Sequence, residues 1–198
     1  FKAEKVNRKI YGLGAADAKG SLAAMMETIT DLKKTEKELN GKVIFAATDK
    51  EEVGGSRMEK LAKWLKFDAV VIGEPTNLNI CVAERGLLKL KIVSKGKSAH
   101  VASVGGINAI HKAAEDIKKI SSLIFKKNHK LLGFPSIQVT IIDGGIKSNV
   151  VPDRCEFIVD TRSTPFYPNN YLLNLIKKSI TSEVKVISNR IFPKETNI

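Results

Sequence analysis

The chain has 198 residues, of which 43% are hydrophobic, so it can bury the core of one large domain or two small ones. Its net charge of +12 and pI of about 9.7 are typical of proteins that bind nucleic acid. However, only 6% of the residues are aromatic and the lysines are scattered, so few side chains could stack on bases. The composition therefore disfavours nucleic-acid binding. An acidic substrate or an acidic protein partner fits the charge as well.

Cysteine content and hydropathy bear on location. No stretch of the sequence approaches the length of a membrane-spanning helix. Cys81 and Cys155 lie far apart and in no metal-binding spacing, which favours a reducing compartment and predicts a cytoplasmic protein. The chain begins at Phe1, without an initiator methionine or an apolar leader, and we expect it to be a fragment of a longer protein.

The first part of the chain alternates between predicted helices and strands. Apolar residues at helical spacing predict a helix from Ala18 to about Leu39, which Asn40-Gly41 ends. A strand from Val43 to Thr48, a short helix from about Ser56 to Leu65 and an apolar strand from Phe67 to Ile72 follow. This order is typical of a doubly wound α/β layer with helices on both faces of a parallel sheet.

The pattern changes around Arg85-Gly86. From there the predicted elements are, in order, strand Leu88–Ser94, helix Ile107–Phe125, strand Ser136–Ile142, strand Asp153–Asp160, helix Tyr171–Ile180 and strand Val184–Ile191. The order β-α-β-β-α-β is that of ferredoxin-like domains. We therefore predict a second small domain over residues 86–192, with 193–198 as the start of a chain that returns to the first domain.

Carboxylates stand at three places in the first part of the chain. Glu51 and Glu52 directly follow a predicted strand, Asp17 follows a glycine-rich segment, and Glu74 follows an apolar one. In open α/β sheets functional residues gather where strands end, and neighbouring carboxylates repel unless they share a cation or a proton. Our interpretation is a cluster of metal ligands. The structural explanations that compete with it are a solvated turn for the glutamate pair, a helix N-cap for Asp17 and a turn for Glu74.

Several motifs occur in one consistent order along nearly the whole chain. They are GLGAADAKG at 12–20, EEVG at 51–54, GEPT at 73–76, GKSAH at 96–100, GINAI at 106–110, GG at 144–145, NVVP at 149–152 and DTR at 160–162. By this ordered set the chain resembles the zinc amidohydrolases of the M20 peptidase family. That family includes acetylornithine deacetylase, succinyl-diaminopimelate desuccinylase, aminoacylase and glutamate carboxypeptidases.

The resemblance implies a domain organisation and a cofactor. Residues 1–85 would be part of a zinc-peptidase-like, metal-binding catalytic domain, and 86–192 an inserted ferredoxin-like lid that also forms a homodimer. Two divalent metal ions would be bound, zinc or alternatively cobalt. The family's His-x-Asp motif ahead of Asp17 and its last metal histidine are absent from this sequence. We therefore expect a fragment that lacks both termini, with a degenerate relative as the alternative.

The resemblance also implies roles for the acidic residues and one histidine. Asp17 would bridge the two metal ions, with Glu52 on one ion and Glu74 on the other. Glu51 would be the general base that takes a proton from a metal-activated water and passes it to the leaving amine. His100 would reach the active site of a partner subunit and help to hold the oxyanion.

Three residues of the second domain would bind substrate. By the same resemblance, Asn149, Arg162 and Gly144 would contact the substrate carboxylate or the acyl end, where arginine suits bidentate recognition. Asn149 could instead be a simple turn residue, and Arg162 could be an ion-pair partner of Asp160 or Asp153.

The function implied is a metal-dependent hydrolase of amino-acid biosynthesis that removes an acyl group from a small N-acyl amino acid. The acetylornithine or acetyl-lysine type and the succinyl-diaminopimelate type are the candidates. The release of an amino acid from an acidic carrier protein is a second hypothesis, which the positive charge motivates. Carboxypeptidase-like cleavage and a non-catalytic, dimerising binding protein are the third and fourth.

Overall fold

The computed structural model describes residues 2–34, 39–51 and 56–196. The chain divides into two compact units, Phe1–Ile80 and Cys81–Ile198. Within the described residues, every helix is too short or too polar to cross a membrane.

The first unit begins with a small hairpin. Strand β1 (Glu4–Val6) pairs antiparallel with β2 (Lys9–Tyr11). Asn7 and Arg8 at the tip have positive φ angles of 48° and 63°, as a two-residue hairpin turn requires. The chain leaves this hairpin directly into the glycine-rich segment that precedes the first helix.

Two helices follow in the first unit, close to where the sequence predicts them. Helix α1 spans Gly20–Lys34 and α2 spans Ser56–Trp64. The predicted continuation of α1 over 35–38 lies outside the described residues. The half-buried side chains of α1 recur every three or four positions, which confirms the helical spacing read from the sequence: Ser21, Met25, Ile29 and Leu32.

The two parallel strands predicted for the first unit are not formed in the described residues. Val43–Thr48 and Phe67–Ile72 pair with no strand, and Val71 and Ile72 are 83% and 71% exposed. A parallel strand needs neighbours along its edges and helices on both faces. In the described residues of this unit neither segment has a strand beside it, and none of these residues is buried. The prediction of paired strands is therefore wrong for these two apolar segments.

The second unit contains a continuous sheet and two long helices. Its elements are β3 (Ala83–Glu84), β4 (Gly86–Lys95), β5 (Ala99–His100), α3 (Ala109–Ser121), β6 (Ser136–Gly144), β7 (Val150–Val151), β8 (Arg154–Ser163), α4 (Asn169–Ser179), β9 (Glu183–Ile191) and β10 (Lys194–Glu195). The sheet order is β6-β8-β4-β9 and every pairing is antiparallel. This confirms the predicted ferredoxin-like arrangement.

One face of this sheet forms the core of the second unit. Side chains alternate along β4 and β8, so that every second residue is buried beneath the two helices. The largest fully buried side chains include Phe157, Leu88, Leu90, Ile92, Leu172 and Ile176. Burial of each such side chain contributes about 1.5–3 kcal/mol to stability. Because no described residue of the first unit is buried, most of the described apolar burial of the chain lies in this unit.

Helix α3 is shorter than predicted at both ends. It starts after Asn108, whose Oδ1 accepts hydrogen bonds from the backbone N–H groups of Ile110 (2.9 Å) and His111 (3.2 Å). This cap fixes the first helical residue. At the other end, Phe125 has left the helix and packs edge-to-face on Tyr167, with ring centroids 4.9 Å apart. An apolar residue that fits the helical period therefore belongs to the loop.

The opposite face of the sheet carries ion pairs. Glu156 lies between Lys91 and Arg154 and forms an ion pair with each. Hydrogen bonds from Lys91 and then Arg154 hold the pKa of this carboxyl below its usual range.

Candidate active site

Asp17 lies in a single, irregular helical turn, Ala15–Lys19, just before α1. Its backbone angles (φ −117°, ψ 96°) are not helical, and its peptide bond to Ala18 is cis. The N-cap of this turn is Gly14, whose φ of 71° is left-handed. Asp17 is thus inside the turn and is not its N-cap. Its side chain is exposed.

A lysine closes the loop that carries Asp17. Lys19 Nζ donates a hydrogen bond to the backbone oxygen of Leu13 at 2.9 Å. A Cβ added at Gly14 would lie 3.3 Å from the backbone oxygen of Asp17. The glycine and the lysine together allow the chain to fold back tightly on itself, so that the loop presents Asp17 in a defined place.

Glu74 lies near the same end of α1. A Cβ added at Gly73 would lie 2.7 Å from Cβ of Ser21 and 3.1 Å from Cε of Met25. Glycine is therefore needed for residue 73 to approach the start of α1 so closely. Since Asp17 comes four residues before Ser21, the structure brings the segments carrying Asp17 and Glu74 to one end of this helix.

The glutamate pair is only partly described. Glu51 is exposed in a turn, next to Lys50, whose φ is 63°. The turn leads toward α2 and is tied to it by an ion pair between Asp49 and Arg57 (2.9 Å). Glu52 lies outside the described residues.

The described carboxylates have suitable chemistry for divalent cations but do not make up a metal site. Exposed oxygens near one helix end are ligands that hard and borderline cations accept. Over residues 2–34, 39–51 and 56–196, no three His, Cys, Asp or Glu side chains are grouped closely enough to hold a metal ion. The assignment of Asp17, Glu52 and Glu74 as ligands therefore stays a prediction.

In the second unit, His100 and Asn149 are neighbours. Strands β5 and β7 pair so that His100 stands opposite Val150, and the N–H of Val101 donates to the backbone oxygen of Asn149 at 3.1 Å. Residues about fifty positions apart in the chain thus meet at one end of the sheet.

The His100 ring is oriented by its own loop. Its Nδ1 accepts a hydrogen bond from the backbone N–H of Ala102 at 3.2 Å. In the neutral ring the proton is then on Nε2, which is left as a donor. An exposed imidazole held in this tautomer is suited to donate a hydrogen bond to an oxyanion.

A cleft of about 490 Å³ lies directly beside this pair of residues. Gly144, a predicted substrate-binding position, lines it, and a Cβ there would meet Sγ of Cys155 at 2.9 Å. Gly145 follows with a φ of 86°. The remaining described residues of its lining are Val101, Asn108, Ile110, Ile146, Lys147, Ser148, Val150, Val151 and Pro152. Of these, Lys147 is a candidate that the motifs did not single out, although it lies between two of them.

Arg162 lies at the opposite end of the sheet. In the ladder between β6 and β8, Gly144 pairs with Cys155 and Ser136 pairs with Arg162. Cys155 and Arg162 are seven positions apart on β8, a span of about 23 Å at roughly 3.3 Å per residue. Arg162 Nε donates to Asp160 Oδ1 at 2.8 Å, so the ion pair considered from the sequence is formed. The structure does not bring Arg162 to His100 or Asn149 within one copy of the second unit.

The fold and the family agree. The second unit has the split β-α-β arrangement and carries the later motifs of the set. Residues 82–187 match the family model described as the M20 peptidase dimerisation domain. Because this match covers more than half of the chain, the chain belongs to the M20 peptidase family. The family predicted from the motifs is thereby confirmed.

Individual relatives are similar along nearly the whole chain. The acetylornithine deacetylase of Buchnera aphidicola subsp. Acyrthosiphon pisum is 30% identical over 206 aligned positions, which cover 98% of this chain and 53% of that protein. The acetylornithine deacetylase of Edwardsiella ictaluri is 30% identical over 91% of this chain and 49% of its own length. The chain thus spans about half the length of the curated relatives it matches.

A solved structure supports the same fold. The aminopeptidase PepT of Bacillus cereus matches with a TM-score of 0.75 and 23% identity, over 99% of this chain and 56% of that one. Together with the mixed helices and sheet described above, this similarity confirms the predicted α/β class.

Proposed function

We propose that the protein to which this chain belongs is a metal-dependent amide hydrolase that removes the acyl group from a small N-acyl amino acid. The substrates proposed are of the acetylornithine, acetyl-lysine or succinyl-diaminopimelate type. The observation that carries the proposal is the pairing of β5 with β7, which sets His100 beside Asn149 and next to a cleft, with the Nδ1 atom of the ring held by its own loop. Family membership and the similarity to acetylornithine deacetylases support it.

The metal ligands in this proposal are Asp17, Glu52 and Glu74, which would hold two divalent ions, zinc or cobalt. Such ions, when bound, lower the pKa of water and stabilise negative charge on oxygen. Glu51, which is exposed at its turn, would accept a proton from the attacking water. It would then return that proton to the nitrogen of the leaving amine.

In a homodimer, each copy of the second unit would contribute residues to two active sites, its own and that of its partner. His100, Asn149 and Gly144 lie at one end of β8 and Arg162 lies at the other, about 23 Å away. A small N-acyl amino acid is shorter than about 14 Å, the span of four extended residues. One copy of this unit therefore does not place both groups on one substrate. In the proposed dimer, His100 of the partner subunit donates to the oxyanion while Arg162 binds a substrate carboxylate.

A cytoplasmic location goes with this proposal. Both cysteines are free thiols, with Cys81 exposed and Cys155 buried, as is usual in a reducing compartment.

A second candidate function is the release of an amino acid from an acidic carrier protein. The net charge of +12 favours it, because a field of this size steers acidic partners. It requires that kcat/KM on a carrier-bound substrate fall as ionic strength rises. An unchanged value would rule it out.

The proposed function is tested with the full-length protein on N-acetylornithine, N-acetyl-lysine and N-succinyl-diaminopimelate. Zinc or cobalt is added, and a parallel series contains a chelator. We expect turnover that the chelator abolishes and that Glu51→Gln lowers by about 10²–10⁴-fold. Glu59→Gln, an exposed change on α2, is the matched control and should leave turnover unchanged. Absence of both turnover and bound metal would favour the non-catalytic binding protein.

A further inference from the structure

The cleft beside His100 and Asn149 carries a positive charge. Among the described residues that line it, Lys147 is the one with a side chain charged at pH 7. Lys147 also forms no ion pair with an acidic group in the part of the chain that the structure describes. Its ammonium group is therefore available to a ligand.

The backbone of Lys147 is fixed relative to His100. The N–H of Val150 donates to the backbone oxygen of Lys147 at 3.3 Å, which closes a turn. Val150 in turn pairs with His100 across β5 and β7. On the other side of the turn, the close contact of Gly144 with Cys155 and the positive φ of Gly145 allow the loop to leave β6 sharply. Lys147 thus stands at a defined place in the cleft that adjoins the proposed oxyanion donor.

Part of the rest of the lining is aliphatic. Val101, Ile110, Ile146, Val151 and Pro152 supply aliphatic surface, which suits methylene groups. Aliphatic surface beside one charged group suits a short ligand that has methylene groups and an ionised end. The ligand with these features is an acyl group whose short aliphatic chain ends in a carboxylate.

We propose that Lys147 is a specificity-determining residue, which selects N-acyl substrates whose acyl group ends in a carboxylate, such as succinyl, over N-acetyl substrates. Its ammonium forms a charge-assisted hydrogen bond with the distal carboxylate, while the aliphatic walls of the cleft contact the methylene groups. The inference rests on the proposed function, since it places the acyl end of the substrate in the cleft beside His100.

The first test compares kcat/KM of the full-length protein on N-succinyl-L-ornithine and N-acetyl-L-ornithine. Lys147→Ala and Lys147→Gln should lower the value for the succinyl substrate about 10-fold or more, as expected for loss of a hydrogen bond between charged groups. The value for the acetyl substrate should change less than about 2-fold, and Lys147→Arg should restore most of the loss. Lys97→Ala removes an exposed charge at the same end of the sheet and should affect neither substrate.

A binding measurement separates this inference from the proposed function. In a Glu51→Gln background, which blocks turnover, calorimetry gives Kd for the same two compounds with and without Lys147→Gln. A preference for the succinyl compound that Lys147→Gln removes supports the inference, even if no variant hydrolyses either compound. Equal affinities in the Glu51→Gln protein, or equal losses for both compounds in Lys147→Gln, would overturn it.

Discussion

Removal of the Asn169 side chain should destabilise the second unit more than any single surface change. Asn169 is fully buried at the start of α4. Its Nδ2 lies 3.2 Å from the backbone oxygen of Leu87, 2.8 Å from that of Ile191 and 2.7 Å from Oδ1 of Asn189. Its Oδ1 accepts a hydrogen bond from the hydroxyl of Ser163. One side chain therefore connects β4, β8 and β9.

The size of the effect follows from these contacts. Asn169→Ala removes three or four hydrogen bonds, each with a net contribution of about 1 kcal/mol. It also leaves buried acceptors without a donor, which costs about 1–3 kcal/mol for each group left unpaired. Because the Nδ2 group has only two hydrogens for three acceptors, the contributions overlap. We expect the free energy of unfolding to fall by about 3–5 kcal/mol, a large share of the roughly 5–15 kcal/mol that a domain has.

The assay is urea unfolding followed by far-ultraviolet circular dichroism, with Asn170→Ala as the matched control. Asn170 is the next residue of the helix but is exposed, so its loss should stay within about 0.5 kcal/mol. With a slope near 2 kcal/mol per molar urea, Asn169→Ala should lower the midpoint by about 1.5–2.5 M. Hydrogen exchange of peptides from β4 and β8 locates the loss. Similar midpoints for the two variants would refute the reasoning.

Three further predictions concern stability and reactivity. Gly96→Ala should destabilise the chain by about 2 kcal/mol or more in thermal unfolding, because a Cβ there would overlap the backbone that leads into α3. Gly41→Ala, with no atom within 4 Å, should not destabilise it. The lowered pKa of Glu156 gives stability that is present above the ordinary carboxyl pKa and is lost as pH falls through the folded value. Glu156→Gln should therefore flatten the acid side of a plot of unfolding midpoint against pH, whereas an unchanged slope would contradict this. Burial, followed by two nearby carboxylates, raises the pKa of the Cys155 thiol, so a thiol reagent at pH 8 should modify Cys81 at once and Cys155 only on unfolding.

The second unit was predictable because its signals are local and its core is complete. Leu88, Leu90 and Ile92 alternate with charged or half-buried neighbours, and this period belongs to a strand with one covered face. The ends of α3 were harder to predict, because the cap at Asn108 and the packing of Phe125 on Tyr167 depend on tertiary contacts. The helical periodicity of the sequence contains no information about either contact.

The strands of the first unit show where such prediction stops. Val43–Thr48 and Phe67–Ile72 have the composition of buried parallel strands, yet apart from the half-buried Phe45 they are exposed, and they are unpaired in the described residues. Composition identifies a segment that could be buried, whereas a parallel ladder depends on partners distant in sequence. Lys147 was missed for a related reason, since its role depends on a turn and a cleft rather than on a motif.

The grouping of the candidate residues in the second unit follows from the register of one strand pair. Lys95 at the end of β4 lies opposite Arg154 at the start of β8, so the loop that leaves β4 and the loop that enters β8 must meet at one end of the sheet. That is where His100 and Asn149 lie. Each strand crosses the unit once, so Arg162, near the far end of β8, is separated from them by the length of the strand. Under the proposed function, a small substrate that contacts both His100 and Arg162 therefore needs two copies of this unit, and the antiparallel register is the physical reason for proposing that a partner completes the active site.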